Sequence, residues 1–119
     1  MRAPTVLVVD DDPDVRELAV DMLREAGHAV LEASTGQEAV VLFEAHPEID
    51  LIFTDIVMPG IDGFRVADVA KTRRPEVKIL YATGFAGRAA EYLGVVHGEI
   101  LPKPYRGPQL AAAVERALG

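Results

Sequence analysis

The sequence predicts a doubly wound α/β fold built around a five-stranded parallel sheet. Short apolar runs alternate with amphipathic segments along the whole chain. The first run, Thr5–Val9, is continuously apolar after its first residue, which is typical of a parallel strand buried on both faces. A closed eight-stranded barrel needs about 250 residues, and this chain has 119. Five strand–helix pairs favour an open sheet with strand order 2-1-3-4-5.

The other four strands are predicted from short apolar runs at fairly regular spacing. Such runs of about 4–8 residues, bounded by turn-forming or capping residues, are typical of sheet interiors. The predicted strands are Ala29–Ala33, Leu51–Thr54, Val77–Ala82 and Ile100-Leu101.

The helices are predicted from apolar spacing and from residues that favour helix ends. Asp12 before Pro13 is a favoured start for the first helix, and Gly27 is suited to end it in a left-handed conformation. Thr35 and Glu38 have the spacing of a capping box for the second helix. Further helices are expected around Val66–Ala70, ending before Pro75, and over Leu110–Leu118, with a short one over Arg88–Leu93.

The bulk composition favours one globular domain spanning residues 1–119. The net charge of −7 argues against direct nucleic-acid binding, which requires basic surface to neutralise phosphates. No apolar stretch approaches the roughly 20 residues needed to cross a bilayer, and the N-terminus lacks a signal-peptide pattern. With no cysteine, disulfides and thiolate chemistry are excluded. We therefore expect a cytoplasmic protein with no membrane association.

Polar side chains follow most of the predicted strands at the point where each strand ends. In open α/β sheets, ligands bind beyond the carboxyl ends of the strands, where the strand order reverses. Carboxylates gathered there would suit Mg²⁺, and an aspartate can accept a phosphoryl group. An ammonium and a hydroxyl would stabilise phosphoryl oxygens. The residues concerned are Asp10, Asp11, Asp55, Thr83 and Lys103.

Four segments of this edge resemble the receiver domain of two-component response regulators. They are Val8–Pro13, Thr54–Gly60, Ala82–Gly84 and Lys103-Pro104. Each one alone is a weak signal, but their order and spacing together are specific and span essentially the whole chain. The resemblance implies a (βα)5 flavodoxin-like fold and a signalling switch that catalyses its own phosphorylation and dephosphorylation rather than acting as a separate enzyme.

The resemblance also implies a role for each matching residue. Asp55 would be the phosphoacceptor, and Asp10 and Asp11 would bind Mg²⁺ together with Asp55 and the backbone carbonyl of Val57. Lys103 would contact the phosphoryl group, and Thr83 would be the switch hydroxyl. The peptide bond between Lys103 and Pro104 is expected to be cis. Asp12 is interpreted as a helix cap and not as a ligand.

The same resemblance implies the partners. The phosphoryl donor would be a histidine kinase or a histidine phosphotransfer domain, and the signal would pass to a downstream protein. Homodimerisation stays open. Ile100 stands where the family often has Tyr or Phe, so an atypical switch is expected, as in receivers attached to hybrid kinases. Two alternatives remain: a degenerate receiver used only for protein binding, and a haloacid dehalogenase-type phosphatase suggested by Asp10-x-Asp12.

Overall fold

The computed structural model describes residues 3–84 and 94–119, which form five strands and four helices. The predicted short helix over Arg88–Leu93 lies outside the described residues. None of the described helices has the length and apolar character needed to cross a membrane. In chain order, the elements are β1 (Thr5–Val9), α1 (Pro13–Glu25), β2 (Ala29–Ala33), α2 (Gly36–Ala45), β3 (Ile49–Asp55), α3 (Gly63–Arg73), β4 (Lys78–Thr83), β5 (Ile100–Pro102) and α4 (Gly107–Leu118).

The strands form one parallel sheet in the order β2-β1-β3-β4-β5. This confirms the predicted fold class and strand order. β1 lies in the interior of the sheet, and all of its residues are buried. Leu7 and Val9 pack into one apolar core, with residues of α2 and α3. Val6 and Val8 pack into the other, with residues of α1 and α4. A strand covered on both faces has no polar side, which explains its continuous apolar run.

The helix starts agree with the capping residues read from the sequence. The Asp12 carboxylate accepts hydrogen bonds from the backbone N–H groups of Asp14 and Val15, at 2.9 and 3.3 Å. The hydroxyl of Thr35 accepts one from the Glu38 N–H at 3.0 Å. The return bond of the expected capping box differs, because the Glu38 carboxylate accepts from the N–H and hydroxyl of Ser34.

β3 is longer than predicted at both ends. It begins at Ile49, and the register against β1 shifts so that Thr5 faces Ile49 while Val6 faces Leu51. The skipped residue, Asp50, accepts a hydrogen bond from the Thr5 N–H through its carboxylate at 2.9 Å. A polar residue at a β-bulge looks like a loop residue in the sequence, so the apolar run alone predicts too late a start for this strand.

The carboxyl end of α2 is closed by the guanidinium of Arg74, which follows α3. Its two terminal nitrogens donate to carbonyl oxygens at the end of α2, in the connection to β3 and at the start of β3, those of Phe43, His46, Pro47 and Ile49. The guanidinium carbon also lies 3.7 Å from the centre of the Phe43 ring. One cation therefore satisfies carbonyls that the helix itself leaves without donors.

Replacing Arg74 with Ala should lower the free energy of unfolding by about 2–3 kcal/mol, since it removes several charge-assisted hydrogen bonds and a cation–π contact. Urea denaturation would measure the change. The neighbouring Arg73 is a matched control, because it is exposed and pairs only with Glu44 among the described residues. Arg73→Ala should cost less than about 1 kcal/mol. Equal losses in the two variants would contradict the role given to Arg74.

Candidate functional site

The carboxyl ends of four strands bring the predicted site residues to one edge of the sheet. Asp10 follows β1, Asp55 ends β3, Thr83 ends β4 and Lys103 follows β5. β1 and β3 are neighbours with β2 and β4 outside them, so the strand order reverses between Asp10 and Asp55. This is the place where doubly wound sheets bind ligands.

Three carboxylates meet at this edge. One oxygen from each of Asp10, Asp11 and Asp55 can be chosen so that all three lie within 4.8 Å of one another. Asp10 and Asp55 are buried, with 5% and 8% exposure, whereas Asp11 is exposed. Such a group of oxygen ligands, open to solvent on one side, suits a hard divalent cation that keeps part of its water shell.

The ammonium of Lys103 bridges the two buried carboxylates. Its Nζ lies 3.0 Å from Asp10 Oδ2 and 3.3 Å from Asp55 Oδ2. The backbone of Lys103 is also fixed, since its N–H donates to the Thr83 carbonyl at 2.9 Å. The peptide bond between Lys103 and Pro104 is cis, which agrees with the expectation. The lysine is thus held by its backbone and by its side chain.

The acid–base balance of the site shows an excess of negative charge. Burial raises the pKa of the Asp55 carboxyl; Lys103 opposes this and the charge of Asp10 adds to it. Burial would lower the pKa of the Lys103 ammonium, but its hydrogen bond to Asp10 and the charge of Asp55 prevail and raise it. Both shifts follow from two buried carboxylates sharing one ammonium, and an added cation would oppose the shift at Asp55.

The remaining predicted residues lie around this centre. Asp12 caps α1 and is not part of the carboxylate cluster. Thr83 is 1% exposed, and its neighbour Ala82 pairs with Asp55 across the sheet. Val57 is 40% exposed, two residues beyond Asp55. The site therefore gathers the predicted acids and lysine, with the predicted hydroxyl at the end of the next strand.

Gly63, the first residue of α3, packs closely against the backbone of Asp55. Its N–H donates to the carbonyl of Ile56 at 2.9 Å, which closes the loop between β3 and α3. A Cβ at position 63 would lie much closer to the Asp55 carbonyl oxygen than a van der Waals contact between carbon and oxygen allows. Only glycine lets the first turn of α3 approach the acid's backbone this closely.

Tyr105 is a neighbour of the site that sequence reasoning did not assign. Its ring meets Phe53 edge-on, with centroids 5.7 Å apart. Burial, then the charges of Asp10 and Asp55, raise the pKa of its phenol to about 12. The signal available in the sequence was its place, two residues after Lys103. Tyr105 therefore lies near enough to the acidic site for both carboxylates to act on its phenol.

The fold and this acidic edge define a doubly wound α/β protein with a cation-ready site at its topological switch point. The family model described as the response regulator receiver domain matches residues 6–115. The chain belongs to this family, as the motifs predicted. Membership of this family favours a receiver over the phosphatase alternative suggested by Asp10-x-Asp12, and Asp12 caps α1.

Curated relatives include both stand-alone and kinase-attached receivers. The chain is 33% identical to the response regulator receiver protein CpdR of Brucella abortus, over 95% of each chain. It is 35% identical to the sensor kinase CckA of the same organism, over 96% of this chain but only 12% of the kinase. The NtrC regulator of Azospirillum brasilense is 36% identical, over 99% of this chain and 25% of the regulator.

Solved structures show the same architecture. The response regulator TrrA of Thermotoga maritima aligns with a TM-score of 0.88 at 31% identity, over 97% of this chain and 99% of that one. The receiver domain of the hybrid histidine kinase CckA aligns with a TM-score of 0.82 at 34% identity, over 97% and 99% of the two chains. Over the described residues, the fold is therefore that of known receiver domains.

The environment of Tyr105 gives a measurable titration. The unfolded phenol titrates near 10 and the folded one at about 12, so Tyr105 favours the folded state fully below pH 10 and loses that contribution as the pH rises towards 12. Subtracting the 295 nm titration of Tyr105→Phe from that of the wild type should isolate a transition near pH 12. Asp55→Asn should move it down, and an unchanged midpoint would contradict the proximity of the two groups.

Proposed function

We propose that this receiver domain accepts a phosphoryl group on Asp55 in a Mg²⁺-dependent reaction and passes the signal on by a change of conformation. The observation that carries the proposal is the placement of the Lys103 ammonium within 3.3 Å of Asp55 and 3.0 Å of Asp10, beside three converging carboxylates. A domain used only for docking has no need of this costly concentration of charge.

The chemistry assigns one task to each group. A carboxylate oxygen of Asp55 attacks the phosphorus of a phosphohistidine; the new O–P bond forms as the P–N bond breaks, and the imidazole leaves with its electron pair. Negative charge is spread over the phosphoryl oxygens during transfer, and the Lys103 ammonium is placed to stabilise it. Water reverses the modification by attacking the acyl phosphate, so the domain promotes its own phosphorylation and dephosphorylation.

A Mg²⁺ ion fits the acidic cluster, because hard cations prefer carboxylate and carbonyl oxygens. Asp10, Asp11 and Asp55 would hold it, with the Val57 carbonyl as a further ligand. The ion would neutralise charge on the transferring phosphoryl group. The aligned TrrA structure from Thermotoga maritima is a complex with Mg²⁺ and BeF, which supports the same choice of ion for this chain.

The switch would begin at Thr83, at the end of β4. Its hydroxyl is assigned to bind a phosphoryl oxygen on Asp55, and the rearrangement spreads to β5 and the elements beside it. Ile100 faces Tyr81 across β4 and β5 and packs against the core. No aromatic side chain at position 100 is therefore available to follow the hydroxyl, and the output differs from the common threonine–aromatic coupling.

The partners follow from this reaction. The donor is a histidine kinase or a histidine phosphotransfer domain, and the output is binding to a downstream protein in the cytoplasm. The similarity to the sensor kinase CckA and to CpdR supports partners of this kind. Direct nucleic-acid binding is not part of the proposal, because the chain carries a net charge of −7 and such binding requires basic surface.

Incubating the protein with acetyl phosphate and Mg²⁺ should add one phosphoryl group, visible in the intact mass. Asp55→Asn should abolish the addition, because an amide oxygen is a far weaker nucleophile than a carboxylate. The Asp10→Asn variant identifies the acceptor: labelling that persists in Asp55→Asn and is lost only in Asp10→Asn would disprove the assignment. No labelling of the wild type would favour a docking module.

The neighbouring acids Asp11 and Asp12 provide a matched pair of variants that tests the metal site. Asp11→Asn should weaken Mg²⁺ binding about ten-fold or more and slow phosphorylation, because a charged ligand is lost. Asp12→Asn should change either property less than two-fold, since asparagine caps a helix about as well as aspartate. Calorimetric Mg²⁺ titration measures both variants. Equal effects would mean that the acids of the triplet are wrongly divided between ligand and cap.

A further inference from the structure

Arg16 of α1 forms hydrogen bonds with the loop after β1 and with strand β2. Its Nη1 donates to the backbone carbonyl of Asp10 at 2.8 Å, and its Nε donates to Glu32 Oε1 of β2 at 3.1 Å. The side chain is only 19% exposed, compared with 47% for Glu32. The guanidinium is therefore fixed between the loop after β1 and the edge strand β2.

The hydrogen bond from Arg16 is one of four that hold Asp10 in place. Its N–H donates to the Ala33 carbonyl at 3.2 Å, its Oδ1 accepts from the Asp12 N–H at 3.0 Å, and its Oδ2 accepts from Lys103 at 3.0 Å. The carbonyl bonded by Arg16 is the fourth polar atom of the residue. All four polar atoms of Asp10 are thus held, each by a different residue.

The Asp10 carbonyl matters because it lies in the same rigid peptide plane as the Asp11 N–H. Fixing that plane fixes the N–Cα axis of Asp11, so that the rotation about this single axis is what remains to set where its side chain leaves the backbone. Asp11 is exposed, so packing contributes little to its orientation. Holding the backbone lowers the entropy lost when its carboxylate joins Asp10 and Asp55 around a cation.

Charge and geometry predict opposite effects on Mg²⁺ binding when Arg16 is removed. A guanidinium beside a cation site repels the cation, and the Glu32 carboxylate offsets only part of that repulsion. Coulomb interactions alone therefore predict that removing Arg16 tightens Mg²⁺ binding. Loss of a positioning contact predicts weaker Mg²⁺ binding instead. The sign of the change in Mg²⁺ affinity therefore distinguishes the charge effect from the positioning effect.

We propose that Arg16 is a positioning residue for the Mg²⁺ site: it holds the Asp10–Asp11 peptide plane, and Glu32 holds its guanidinium in place. The inference rests on the proposed function, because it assigns Mg²⁺ to the three acids. Lysine is not an equivalent substitute, since a single ammonium lacks the fork geometry that reaches the carbonyl and the carboxylate together.

The test is a calorimetric Mg²⁺ titration of the wild type, Arg16→Ala, Arg16→Lys and Arg24→Ala. Arg24 is an exposed arginine on the same helix and controls for the lost charge. Arg16→Ala should weaken binding on the order of ten-fold, as outer contacts of metal sites do. Arg16→Lys, which keeps the charge, should weaken it several-fold, and Arg24→Ala should not weaken it. Unchanged or tighter binding in both Arg16 variants overturns the proposal.

Two further readouts distinguish positioning from loss of fold. In the metal-free protein, hydrogen exchange at the Asp11 and Asp12 amides should accelerate in both Arg16 variants, while exchange in β3 stays as in the wild type. The phosphorylation rate of Arg16→Lys should recover at saturating Mg²⁺. A deficit that persists there overturns the inference, whereas a wild type that binds no Mg²⁺ overturns the proposed function itself.

Discussion

The structure depends on one interaction, the ammonium of Lys103 placed between the carboxylates of Asp10 and Asp55. Buried acids at the same sheet edge repel each other, and burial makes their charged forms costly. The lysine offsets part of this cost by bonding both acids at about 3 Å. Because the balance stays negative, the edge is stable enough to form and still favourable for a cation.

Much of this arrangement could be predicted from the sequence, because it follows from topology. Apolar runs locate the strands, and the rule that parallel strands end at one edge brings Asp10, Asp55 and Lys103 together although they are far apart in the chain. The role of Asp12 was also predictable, since aspartate before proline is a local signal for a helix start. The family's motifs then agreed with what strand ends alone indicate.

The parts that could not be predicted are those that depend on contacts between distant segments. Arg16 donates a hydrogen bond to Glu32, and Arg74 donates to carbonyls 25–31 residues away. The charges of Asp10 and Asp55 raise the pKa of Tyr105. None of these side chains has a local pattern that sets it apart from an ordinary surface arginine or a core aromatic. The bulge at Asp50 was hidden for a related reason, since its partner, Thr5, lies 45 residues earlier.

The lysine contact also has a consequence for how the molecule is made. Lys103 and Asp10 are 93 residues apart, and the lysine directly follows β5 (Ile100–Pro102), the last and shortest of the strands in the described residues. A contact that closes so long a loop forms only after the intervening elements have reduced its entropic cost. During synthesis the acids emerge early and their counter-charge emerges late. The acidic edge therefore gains its counter-charge only once the chain has been made as far as Lys103 and the sheet has brought β1 and β5 into place.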